Sequence, residues 1–288
     1  MSIDQNILTR LRQNDPTLIE LNLSGRYLKV ADIGILAESL KENTELLSLG
    51  LGINQFGDEG VKVLAGVLRS SKLTSLYLGG SSHWPHLPDF SLGDEGIKAL
   101  AAVLPGCLLT NLNLNHNKFG DEGVKALAGV LRSSKLTSLD LSGNKFGDEG
   151  LKALAEVLPG SLLTNINLRY NNKFTNEGVK ALVECLPHSS LTDLSLRLLG
   201  DEEAKVLAAV LPGSSLTRLN LSESRFGDEG VKALAAVLPH SSLTSLDLWG
   251  VEVGDTGVKA LESALPHTSL TDLRPHLLGN EGDDQDYE

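Results

Sequence analysis

The chain alternates between two hydrophobic patterns along almost its whole length. Leu139 and Leu141 flank the polar residue Asp140, and this period of two predicts a short strand that buries one face. Val124 and Leu127 begin a series of apolar residues spaced three and four positions apart, which predicts a helix with one buried stripe. The sequence is therefore a succession of strand–helix units.

The strand–helix unit recurs with a nearly constant period. The copy that begins at Leu136 reads LTSLDLSGNKFGDEGLKALAEVLPGS, and it starts 27 residues after Leu109 and 27 residues before Leu163. The other copies begin at Leu18, Leu46, Leu73, Leu191, Leu216, Leu243 and Leu270. One such unit cannot bury both of its apolar faces alone, so neighbouring units must stack. The predicted fold is an α/β repeat solenoid with a parallel concave sheet and convex helices.

The phrase GDEG marks the start of most predicted helices. Asp121 is predicted to be the N-cap of its own helix, and Glu122 lies favourably in the positive first turn. The equivalent aspartates are Asp58, Asp94, Asp148, Asp201, Asp228 and Asp255. Neighbouring helices lie about 8 to 10 Å apart, whereas the ligands of a metal ion must approach it to within about 2.6 Å. We therefore expect capping and no metal site along this edge.

Composition and charge narrow the possible functions. The chain has 59 leucines among 288 residues and is 4% aromatic, which indicates an aliphatic core. The formal net charge of -12 disfavours nucleic-acid binding and electrostatic membrane binding. No long apolar run and no signal-peptide stretch is present, so a cytoplasmic location is expected. Cys107 and Cys185 lack a CxxC partner and predict neither a disulfide framework nor a zinc site.

The repeat L-x-x-L-x-L-x-x-N-x-F followed by a helix resembles the leucine-rich repeats of ribonuclease inhibitor, of NOD-like receptors and of the Ran GTPase-activating protein. The resemblance runs from Leu18 to Leu273. The phrases NDPTLIELNLS and LKENT are also similar to the repeat domain of tropomodulins. The resemblance implies that the repeat asparagine bridges backbone groups of adjacent turns. This asparagine is present as Asn54, Asn117, Asn144 and Asn171.

The ends of the repeat array differ from its interior. We predict a capping helix in residues 1–17, with Ile3, Ile7, Leu8 and Leu11 facing inward. The array of about nine units covers residues 18–274. Residues 275–288 form a C-terminal cap and a tail, NEGDDQDYE, whose acidic and apolar-poor composition predicts disorder.

No catalytic motif stands out, and neither an enzymatic activity nor a cofactor or resident metal is expected. The sequence contains no P-loop, no G-x-S-x-G elbow and no G-x-G-x-x-G turn. In the insertion GGSSHWPHLPDFSL, a metal site formed by His83, His86 and Asp89 is one alternative interpretation. The favoured interpretation of the insertion is that Trp84 and Phe90 pack locally or contact a partner.

The outward strand positions carry the candidate partner site. Their chemistry changes along the chain from small neutral residues, interrupted by Tyr77, to charged and aromatic ones. The predicted concave-face binding residues are Tyr77, Arg169, Asp193, Arg197, Arg218, Asp247 and Trp249. Arginine and tryptophan are frequent binding hot spots. The alternative is that the arginines form weak surface salt bridges with the two aspartates.

The sequence supports two candidate functions that belong to different classes. The favoured one is a non-catalytic, monomeric protein-interaction module whose partner is a protein, and resemblance to repeat effectors of intracellular bacteria extends this to delivery into host cytoplasm. The alternative is a GTPase-activating protein of the Ran type. An asparagine or arginine presented in a loop suffices for that activity. The residues suited to it by type are Asn54, Asn117, Asn144, Arg26, Arg169 and Arg197.

Overall fold

A computed structural model describes residues 3–81, 91–197 and 200–277 of the chain. The chain divides into two compact units, Met1–Gly178 and Val179–Glu288. In both units short parallel strands alternate with helices, which confirms the predicted strand–helix repeat fold.

In residues 3–81 and 91–178, the described part of the first unit, six strands pair in parallel in the order of the sequence. The strands are β1 (Glu20–Asn22), β2 (Ser48–Gly50), β3 (Ser75–Tyr77), β4 (Asn111–Asn113), β5 (Ser138–Asp140) and β6 (Asn165–Asn167). The helices are α1 (Gln5–Arg12), α2 (Val30–Leu40), α3 (Gly57–Leu68), α4 (Asp94–Val103), α5 (Asp121–Leu131) and α6 (Asp148–Val157). Helix α7 (Asn176–Cys185) contains the boundary between the units.

In residues 179–197 and 200–277, the described part of the second unit, there are four parallel strands and three further α-helices. The strands are β7 (Asp193–Ser195), β8 (Arg218–Asn220), β9 (Ser245–Val253) and β10 (Asp272–Leu277). The helices are α8 (Asp201–Val210), α9 (Asp228–Val237) and α10 (Asp255–Ala264). Strand β9 is longer than the short strand predicted for each repeat, and β10 continues past the predicted end of the array at residue 274.

The hydrophobic pattern places the core between strands and helices. Leu49 and Leu139 on the strands are 0% exposed, and so are Leu64 and Leu127 on the helices. Each buried leucine contributes about 1.5 to 3 kcal/mol relative to an exposed one. Because every repeat supplies the same positions, the core continues from one repeat to the next within a unit.

The repeat asparagines connect adjacent repeats in the first unit. Asn117 Nδ2 donates to the carbonyl oxygens of Leu78 at 2.9 Å and Leu114 at 3.1 Å. Its Oδ1 accepts from the backbone N–H of Leu92 at 2.9 Å. Asn54, Asn144 and Asn171 donate to the corresponding carbonyls. The bridging role that the resemblance implied is confirmed.

The prediction that Asp121 caps its own helix is wrong. Gly120 is the N-cap of α5, and Asp121 is its first helical residue. The Asp121 carboxylate instead accepts from the N–H groups of Gly147 and Gly150, at the start of the next helix. The stacking of repeats brings this carboxylate closer to the neighbouring helix start than to the unpaired N–H groups of its own helix. Asp94 and Asp201 make the same inter-repeat cap.

The N-terminal segment packs on the first repeat. Helix α1 is shorter than the predicted range of 1–17, and Ile3, Leu8 and Leu11 are buried as predicted, whereas Ile7 is half-exposed. Asn14 and Thr44 are joined by two reciprocal hydrogen bonds of 2.8 Å. These two residues belong to the two phrases that resemble tropomodulin repeats.

Candidate functional site

The polar strand positions of each unit form rows across the sheet. We call the surface made by these side chains the sheet face. In the second unit, Asp193 pairs with Arg218 and Arg218 pairs with Ser245 in the strand register. Asn220 pairs with Asp247 in the neighbouring row. Because adjacent strands lie about 4.8 Å apart, side chains in one row can act together.

Arg218 and Asp193 form an ion pair on this surface. Arg218 Nε donates to Asp193 Oδ1, and Asp193 Oδ2 accepts from Thr192 Oγ1 at 2.7 Å. The Arg218 side chain is 65% exposed, whereas that of Asp193 is 16% exposed. An exposed pair of this kind contributes about 0 to 1 kcal/mol to folding. The salt-bridge alternative therefore holds for one of the predicted arginines.

Asp247 has other partners. Its Oδ2 lies 3.3 Å from Asn220 Nδ2, and its Oδ1 accepts from the Trp249 backbone N–H at 2.9 Å. These contacts fix the carboxylate beside the start of the tryptophan side chain. Asp247 is therefore held in place by an amide and a backbone group.

Arg197 and Trp249 stand on either side of a small residue. Both occupy the position just after the final strand leucine, and Ser222 occupies it in the repeat between them. Ser222 is buried at 3% exposure, whereas Trp249 is 56% exposed. Arg197 Nε donates to the Glu223 carbonyl at 2.7 Å, and the Glu223 N–H donates to the Trp249 carbonyl at 2.7 Å. We call this arrangement the Ser222 notch.

The other predicted residues lie in the first unit or outside the described residues. Tyr77 is 38% exposed in the row between Gly50 and Asn113. Arg169 is half-buried, and its guanidinium carbon lies 4.7 Å from the centre of the Tyr170 ring. The insertion residues His83, Trp84, His86, Asp89 and Phe90 fall outside the described residues, as does the acidic tail.

The cysteines are structural. Cys107 is buried and its Sγ donates to the Val103 carbonyl at 3.2 Å. Cys185 was predicted to be buried and is half-buried. Burial raises the pKa of Cys107, and it raises the pKa of Cys185 to about 11. Neither thiol has the lowered pKa of a reactive nucleophile. Over the described ranges 3–81, 91–197 and 200–277, no group of three His, Cys, Asp or Glu residues is arranged to hold a metal ion.

Sequence reasoning missed a set of residues at the ends of the strands. His116 and Tyr170 adopt left-handed backbone angles, with φ of 51° and 61°. The equivalent residue in the repeat between them is Gly143, with φ of 67°. The recurrence of glycine at this position was the available signal, because glycine adopts positive φ without strain.

A family profile described as Leucine Rich repeat matches the chain in six segments. They are residues 42–65, 107–128, 132–155, 161–183, 214–235 and 240–261. The solved structure of a leucine-rich repeat protein from Leptospira interrogans is 21% identical, with a TM-score of 0.49. That likeness covers 94% of this chain, and this chain spans 57% of that structure. No curated protein matches the chain by sequence. Across the part of the chain that the structure describes, no helix is long and apolar enough to cross a membrane.

Proposed function

We propose that this chain, a leucine-rich repeat protein, is an interaction module that binds a protein partner through the sheet face of its second unit. The observation that carries the proposal is the Ser222 notch. Trp249 leaves more than half of its surface in water, and the Arg218 side chain on the same sheet face is 65% exposed. Tryptophan and arginine are the side chains that most often dominate interface energy.

The notch lies between two candidate anchor side chains. Arg197 and Trp249 are two strands apart, which is about 10 Å at the usual strand spacing. The Ser222 side chain between them is small and buried, and its hydroxyl donates to Asn220 Oδ1 at 2.7 Å. The hydrogen bond to the Glu223 carbonyl holds the Arg197 side chain in place. A side chain that is already ordered costs less free energy to fix on binding.

The charged groups near the notch favour a partner with both a hydrogen-bonding and an apolar group. Arg197 supplies a cationic donor, whereas Asp247 supplies an acceptor that is already oriented by Asn220 Nδ2 and the Trp249 N–H. Trp249 supplies the apolar area. Alternating charges across an interface fix the register of the partner.

The asparagines suited by type to GTPase activation are engaged within the fold. Asn117 and Asn144 are 4% and 6% exposed, and their amide groups donate to backbone carbonyls. Asn54 is similarly bonded to Leu23 and Leu51. These contacts favour the interaction module over the activating protein.

Affinity capture tests the proposal. The wild-type chain and an Arg197→Ala/Arg218→Ala/Trp249→Ala variant are incubated with a eukaryotic lysate, because the resemblance to effectors of intracellular bacteria extends the proposal to a host-cell partner. The control is Lys205→Ala/Lys232→Ala, which changes exposed helix residues paired with Glu202 and Glu229. We expect one or more proteins retained by the wild type and the control and lost from the triple variant. Equal retention by all three chains contradicts the proposal.

A further inference from the structure

Three consecutive loops of the first unit are basic although the chain is acidic. They are residues 115–120, 142–147 and 169–175, and each connects a strand end to the next helix. They contain Lys118, Lys145, Arg169 and Lys173 but no aspartate or glutamate, in a chain of net charge -12. We call this surface the basic loop edge.

Two aromatic side chains also lie on the basic loop edge. The His116 and Tyr170 rings are stacked, with centroids 6.4 Å apart and planes inclined by 28°. His116 and Tyr170 occupy the same position in repeats that are two apart, and Gly143 occupies it in the repeat between them. The ring contact therefore passes over the intervening repeat. A Cβ atom on Gly143 would lie 2.4 Å from His116 Nδ1. The glycine therefore makes room for the imidazole.

The two rings lie at a repeat position whose backbone is left-handed. His116 and Tyr170 have positive φ there, as do Ile53, Gly143 and Glu223 in other repeats, so this conformation belongs to the repeat turn. Tyr170 remains 39% exposed, so its ring is accessible from solvent.

Two lysines of the basic loop edge, Lys145 and Lys173, differ from those on the helices. Lys125 and Lys152 pair with Glu122 and Glu177. Lys145 and Lys173 are exposed, and within the described residues no carboxylate oxygen lies within 4.0 Å of either ammonium group. The charges of these two lysines are thus available to a partner.

The carboxylates nearest the loops are occupied by the backbone. Asp94 accepts from the Gly120 N–H at 2.7 Å, and Asp121 accepts from the Gly147 N–H at 2.7 Å. Asp148 accepts from the N–H and the hydroxyl of Thr175. These hydrogen bonds hold the acids at the base of the loops, away from the lysine side chains.

We propose that the basic loop edge is a second interaction surface, which binds a short acidic segment of a partner protein. Acidic side chains would contact Lys145 and Lys173, and an aromatic or planar group would lie against Tyr170. The exposed residues Glu122 and Glu149 at the neighbouring helix starts limit the length of a polyanion that fits. A short peptide therefore suits the surface better than a nucleic acid, whose charge repeats about every 1.7 Å of duplex.

Fluorescence anisotropy tests this proposal with the full chain. The probe is a fluorescein-labelled peptide, Glu-Asp-Asp-Tyr-Glu-Asp, and its neutral counterpart is Gln-Asn-Asn-Tyr-Gln-Asn. The test variant is Lys145→Glu/Lys173→Glu, and the control is Lys125→Glu/Lys152→Glu, the same charge change on the neighbouring helices α5 and α6. Circular dichroism checks that both variants fold. Tyr170→Ala tests the ring separately.

We expect the acidic peptide to bind wild type and to be weakened about tenfold or more by the test variant, with a much smaller change in the control. Raising the salt concentration should weaken the binding as well, since the contacts are exposed. Tyr170→Ala should weaken it without changing the salt dependence. Equal weakening by test and control variants, or equal binding of the neutral peptide, overturns the proposal. Tighter binding of a single-stranded oligonucleotide than of the peptide overturns it in favour of a nucleic-acid site.

Discussion

The carboxylate of Asp121 accepts a hydrogen bond of 2.9 Å from the backbone N–H of Gly150, which belongs to the helix of the next repeat. A Cβ atom on Gly150 would lie 3.0 Å from the same carboxylate oxygen. The close approach explains why the phrase GDEG contains both its aspartate and its second glycine. The aspartate caps the following helix, and the glycine leaves space for the aspartate of the preceding repeat.

Asp121→Ala should destabilise the chain by about 1 kcal/mol, the usual cost of losing an N-cap side chain. The loss should appear although Asp121 is not the N-cap of its own helix. Urea denaturation followed by circular dichroism measures it. The control is Glu122→Ala, which removes an exposed partner of Lys125 and should cost much less. Equal costs for the two substitutions would contradict the inter-repeat cap.

Gly150→Ala and Gly129→Ala should change stability in opposite directions. Alanine is the better helix former by up to about 1 kcal/mol, and nothing lies within 4 Å of a Cβ atom at Gly129. At Gly150 the new atom would lie 3.0 Å from Asp121 Oδ1 and 3.1 Å from Phe146 Cδ2. We therefore expect a higher melting temperature for Gly129→Ala and a lower one for Gly150→Ala. A rise in both would show that the space at Gly150 is not restricted.

Asn117→Ala should cost about 2 to 3 kcal/mol, because it leaves buried backbone groups of Leu78, Leu92 and Leu114 without their partner. Asn165→Ala is the matched control, since Asn165 is a half-buried residue of the sheet face. Equilibrium unfolding measures the free energy that each variant loses. If they lose the same free energy, the asparagine bridge does not stabilise the stack.

Cys185 should resist alkylation in the folded chain. Its pKa is raised from 9.0 to about 11 by burial, so the thiolate is scarce at pH 9. Its raised pKa favours folding below pH 9, and this contribution is lost as the pH rises from 9 towards 11. The rate of reaction with iodoacetamide at Cys185, followed by mass spectrometry, should rise with a midpoint near pH 11. A midpoint near 9 in the folded chain would contradict the burial effect.

The elements could be predicted from the sequence wherever one pattern controls the local structure. Leu139 and Leu141 predict strand β5 because alternation alone places them in the core. The role of Asp121 could not be predicted, since its hydrogen-bond partner lies in another repeat and depends on how the repeats stack. The stack of His116 on Tyr170 was missed for the same reason. Its members are two repeats apart, and Gly143 between them gives no periodic hydrophobic signal.

The residues of the candidate site follow from the sequence, whereas their binding role stays a prediction. The column containing Arg218 follows from counting strand positions, and the strand register reproduces it. The salt bridge between Arg218 and Asp193 corresponds to one of the two interpretations of the arginines, the other being a partner-binding patch. The hydrogen bond from Arg197 to the Glu223 carbonyl was not foreseen, because a loop backbone oxygen has no signature in the sequence.

The sheet face of the second unit is proposed to bind the partner. Calorimetric titration of a captured partner into wild type, Arg197→Ala, Trp249→Ala and Ser245→Ala tests this proposal. We predict a loss of about 1 to 4 kcal/mol of binding free energy for the Arg197 and Trp249 variants and little change for the Ser245 variant. Circular dichroism should show all four chains folded. Unchanged affinity in both the Arg197 and the Trp249 variants would contradict the claim.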